Sequence, residues 1–143
     1  MSISLPTVSK LRPDIVYLHI GSTDLTIGKS PSDIAEQMKM LVTVLLDTFH
    51  VKHVLVAKVP WLPYQGLNFP GVQQLNELLT NQFDGLQEGD HFYGKTSVVC
   101  YREIDNQLDM SVLVSRATHV MTDRAALAMY NGIRHALLSR LEL

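Results

Sequence analysis

The feature that most narrows the choice of fold is the run Asp14-Ile15-Val16-Tyr17-Leu18-His19-Ile20, uncharged after its first residue and stopped by Gly21. A strand with one solvated face alternates polar and apolar side chains. A near-continuous apolar run instead marks a strand covered on both faces, the habit of parallel sheets. A second run, rich in β-branched residues, extends from Val51 to Val59, and a third from Thr96 to Tyr101. The intervals are helical. Ser30-Pro31-Ser32-Asp33 is a helix start, followed at three- and four-residue steps by Ile34, Met38, Leu41, Val42, Leu45, Leu46 and Phe49. Pro60, Pro63, Gly66 and Pro70 mark a loop, and a helix is expected from Val72 to Phe83 with Leu75, Leu78 and Leu79 inward. A last helix is expected from Thr122 to Leu141, burying Leu127, Met129, Tyr130, Ile133, Leu137, Leu138 and Leu141. Strands alternating with helices at this spacing argue for right-handed βαβ units: an α/β fold, three-layer α/β/α in the flavodoxin-like manner, around a parallel sheet.

Composition fits one domain over residues 1–143, with 46% apolar and 18% charged residues and a net charge of −2. Charges are scattered in ones and twos without a basic stripe, which argues against nucleic acid as a partner. No apolar run approaches the ~20 residues of a membrane span, and residues 1–10 lack the apolar core of a signal peptide, so a soluble, cytoplasmic protein is expected. The single cysteine, Cys100, lies in the third apolar run and reads as a small buried side chain. Met38, Met40, Met110, Met121 and Met129 read mostly as core filler. His50 and His53 stand three apart but straddle a helix end and a strand start without a third ligand nearby. They read as a solvated pair, and no metal or cofactor is expected.

The segment from Pro13 to Leu25, with Gly21-Ser22-Thr23-Asp24 closing the strand, resembles the Gly-x-Asn-Asp block of the SGNH (GDSL-type) hydrolases. Val54 to Pro60 is similar to that family's next core strand, and Val72 to Leu79 to its Asn-x-x-Leu helix. Val114-Ser115-Arg116-Ala117-Thr118-His119-Val120 stands where the family carries Asp-x-x-His. The resemblance implies acyl transfer by a Ser nucleophile with a His base, and an oxyanion hole of a Ser amide, a Gly and an Asn. It also implies what this chain has lost. The Asn position is Thr23, the Asp that would orient His119 is Arg116, and no Gly-Asp-Ser block precedes Pro13. Gly21 and Asp24 remain as architecture, and Ser22, Trp61 and Tyr64 are candidate ligand contacts.

The expectation is a degenerate SGNH-hydrolase-like domain without competent ester hydrolysis, serving as an interaction or structural module. The alternative is an active ester hydrolase using His119 with a Ser from Ser22, from a missing segment or from another chain. Against the family's five-stranded order 2-1-3-4-5, the three runs would be strands 3, 4 and 5, contiguous in a sheet truncated at its N-terminal side. Asp14 to Ile20 would then be an apolar edge, and pairing there with a second copy or a partner chain is expected.

Overall fold

The computed structural model describes residues 10–21, 24–25, 27–59, 69–99 and 123–140. Their elements, in chain order, are β1 (Ile15–Leu18), α1 (Pro31–Asp47), β2 (His53–Ala57), α2 (Phe69–Phe83), β3 (Thr96–Val99) and α3 (Asp123–Arg140). The strands form one parallel sheet in the order β1-β2-β3, as expected of an α/β fold with contiguous strands. Both crossovers step the same way across the sheet, and right-handed connections then place their helices on one face. α1 and α2 accordingly pack together.

Register assigns the two faces. Val16 and Val54 align with Thr96, and Leu18 and Val56 with Val98. On the opposite face Ile15 aligns with His53, Tyr17 and Leu55 with Ser97, and Ala57 with Val99. The main core lies on the first face, where Leu18, Val54 and Val56 meet Ile34, Met38 and Leu45 of α1 and Leu75, Leu79 and Phe83 of α2. Each such aliphatic side chain contributes roughly 1.5–3 kcal/mol on full burial. Phe83 also stacks at a tilt on Phe92, with ring centroids 5.6 Å apart.

Local chemistry sets the ends of α1. The Ser30 hydroxyl accepts from the Asp33 amide at 3.2 Å, and Pro31 occupies the first turn, where its missing N–H costs nothing. At the other end the Phe49 amide returns to the Val44 carbonyl and the Val51 amide to the Leu45 carbonyl. These bonds wrap around His50, which holds the left-handed conformation at φ +56°.

Several expectations need correction. β1 is not covered on both faces: Ile15, Val16 and Tyr17 are half-buried, whereas every residue of β2 is buried. Position explains it, since β2 has a neighbour on each side and β1, among the described residues, has one. Pro70 lies inside α2 rather than in the preceding loop, and its first-turn position explains the tolerance. Met40 is 62% exposed although Met38 is fully buried, because two residues along a helix turn a side chain away from the core. On α3, Leu127 and Tyr130 are 57% and 60% exposed: that helix packs on β3, and none of its described side chains joins the main core. His50 and His53 are not a solvated pair. His50 is exposed, but His53 is buried on the sheet, its Nε2 3.2 Å from the Ser97 hydroxyl.

Candidate functional site

The carboxyl end of β1 is the place where a parallel α/β sheet offers its loops to a ligand. Gly21 ends the strand at φ +116°, a conformation open to glycine and strained for any other residue. Its surroundings are also close: a Cβ there would lie 3.4 Å from the Leu75 Cδ2 and 3.5 Å from the Ile34 Cγ2. Gly21 is therefore the point at which β1, α1 and α2 converge.

Backbone hydrogen bonds join Gly21 to the described residues that follow it. The Leu25 amide donates to the Gly21 carbonyl at 3.0 Å, the Gly28 amide to Leu25 at 3.1 Å, and the Lys29 amide to Asp24 at 3.0 Å. Asp24 is buried, and its Oδ1 lies 3.9 Å from the Lys29 ammonium. Lys29 also donates to Oε1 of Gln37 on α1 at 3.2 Å, so the loop is tied to the helix that follows it. Asp24 thus sits within the packing of the loop, facing a cation of its own chain.

The structure brings Gly21 and Asp24 together at the end of β1. Ser22, Thr23, Trp61, Tyr64, Arg116 and His119 lie outside the described residues, as does Cys100.

Two arrangements escape a reading of the sequence. In the first, Asn76 of α2 holds the backbone of Val59 just past β2: the Val59 amide donates to Oδ1 at 2.8 Å, and Nδ2 donates to the Val59 carbonyl at 2.9 Å. A signal was available, because Asn76 sits between Val72 and Leu79, at helical spacings that otherwise carry the buried stripe of α2.

The second is a polar set on the sheet face turned away from α1 and α2. It pairs the Tyr17 hydroxyl with His19 Nδ1 at 3.1 Å and His53 with Ser97. Burial disfavours the imidazolium of His19 and holds its pKa below the ordinary 6.5. In the neutral tautomer with the proton on Nε2, Nδ1 accepts from Tyr17. The His53–Ser97 contact joins two strand residues, and Ser97 stands on no strand-to-helix elbow of the kind that presents a nucleophile.

Among the described residues no group of three or more His, Cys, Asp or Glu side chains could hold a metal ion, and no helix is long and apolar enough to cross a membrane. Comparison with protein-family models, curated proteins and solved structures gave no match.

Proposed function

We propose that this chain is an SGNH-hydrolase-like α/β domain that has lost ester hydrolysis and serves as an interaction or structural module. The observation that carries the reading is Arg116, three residues before His119, where the hydrolase pattern carries an acid. A carboxylate there would orient the imidazole and stabilise its protonated form, whereas a guanidinium opposes that form. Thr23 in the oxyanion position is a second loss. Removing one oxyanion donor costs ~10²–10³ in turnover. Removing a triad member leaves only about 10³–10⁴-fold catalysis over water. The parallel order β1-β2-β3 and the Gly21 turn at the end of β1 support the architecture on which the reading rests.

Labelling with a fluorophosphonate serine-hydrolase probe, with His119→Ala alongside, tests the loss of chemistry. No labelling above a denatured control is expected. Stoichiometric labelling that disappears in His119→Ala would overturn the reading in favour of an active ester hydrolase, and mapping the modified Ser would identify the nucleophile.

The partner in this proposal is a second copy joined along β1. β1 is an end strand of the sheet among the described residues, and it carries neither proline nor charge between Ile15 and Leu18. Sedimentation equilibrium is expected to give a dimer, and a monomer persisting at high concentration would rule this partner out.

A further inference from the structure

We propose that α3 is a detachable cover on β3, opening as a unit while the body from β1 to β3 stays folded. The argument begins with unequal burial. α1 buries Ile34, Ala35, Met38, Val42, Leu45 and Leu46, and α2 buries Val72, Leu75, Leu79 and Phe83. Every α3 residue from 126 to 138 whose side chain is described is exposed or half-buried. Among the described side chains, none of α3 belongs to the main core or to the apolar residues packed around it.

Among the described residues its hold on the body is narrow, because α3 packs chiefly on β3 and β3 stands at the end of the sheet. Its intrinsic helicity is also interrupted, with Asn131 and Gly132 side by side at its middle. Segments with few buried apolar contacts open at lower free energy than the elements of the core, and they do so as contiguous units. Opening of α3 bares β3, where Val99, on the face turned away from the main core, is 1% exposed in the closed form. The helix therefore controls access to an end strand of the sheet, a device by which proteins protect such strands from pairing.

Native-state hydrogen exchange of the full chain tests the proposal. Amides of α3 are expected to exchange at least ~100-fold faster than those of Val54–Ala57, with a common denaturant dependence smaller than that of Val54–Ala57. Equal protection and equal denaturant dependence in the two elements would overturn it. Asn131→Ala, at an exposed position, is expected to slow α3 exchange about threefold through helix propensity while leaving β2 unchanged. Slowing both elements equally would show that α3 opens only with the whole domain, and would also overturn the proposal.

Discussion

Asn76 and Val59 are joined by a two-point clamp, in which the amide side chain of a helix residue takes both polar groups of a single strand-end residue, at 2.8 and 2.9 Å. Val59 is 2% exposed, so neither backbone group has water as a substitute. On its other side the chain is tied to β3, where the Lys58 amide reaches the Val99 carbonyl at 3.1 Å.

Asn76→Ala leaves a buried donor and a buried acceptor unpaired, each worth about 1–3 kcal/mol, and a loss of about 2–4 kcal/mol in urea unfolding is expected. Asn76→Asp retains an acceptor for the Val59 amide but has no donor for its carbonyl. It should also destabilise; wild-type stability in that variant would show that the second bond contributes nothing.

At Gly21 the backbone rather than a side chain sets the constraint. Alanine there must hold φ +116° and place its Cβ 3.4 Å from Leu75. Strain of this kind costs about 1–3 kcal/mol, read as a fall in Tm of about 3–4 °C per kcal/mol in a domain this size. A Gly21→Ala protein melting with the wild type would show that the turn rearranges freely.

His50 offers a change of opposite sign. It is exposed and left-handed at φ +56°, a conformation that costs an L-residue roughly 1–2 kcal/mol and glycine almost nothing. Glycine gives back about 0.5–1 kcal/mol through the greater entropy of its unfolded chain. His50→Gly is therefore expected to stabilise by up to about 1 kcal/mol, checked by the urea midpoint at unchanged m-value.

The buried imidazole of His19 links stability to pH. Its folded pKa lies below 6.5, so the unfolded chain takes up the proton first as pH falls. Stability from this group is complete well above 6.5, and is lost as pH drops through 6.5 towards the lower folded value. His19→Gln keeps an acceptor for Tyr17 and cannot titrate, so its unfolding free energy should fall less between about pH 7.5 and 5.5 than that of the wild type. Parallel profiles would mean that His19 titrates alike in both states.

Local signals were the readable part of this fold. Ser30-Pro31 places the start of α1 to the residue, because a hydroxyl cap and a proline act within one turn. The apolar run at Val51 to Val59 marks β2, trimmed to His53–Ala57; past it the Lys58 amide still reaches Val99 of β3, and the Val59 backbone leaves the sheet for Asn76. Burial of whole elements was less readable, because it depends on neighbours: β1 and β2 carry similar apolar runs, yet only β2 is enclosed. The periodicity of α3 likewise says which face is apolar, not how much of it finds a surface. At the candidate site, Gly21 was legible as a turn glycine. Its convergence with Leu75 and Ile34 was not, since those contacts span the chain.

Thr96, at the head of β3, donates its hydroxyl to the carbonyl of Phe83 at 2.9 Å, across 13 positions of sequence. The final turn of α2 is thus finished by a residue that the ribosome adds later. At about 5–20 residues per second, the gap between the two lasts on the order of a second, far longer than the microsecond in which a helix forms. During synthesis α2 therefore waits with a frayed end, and the arrival of β3 closes the sheet and the helix in one event.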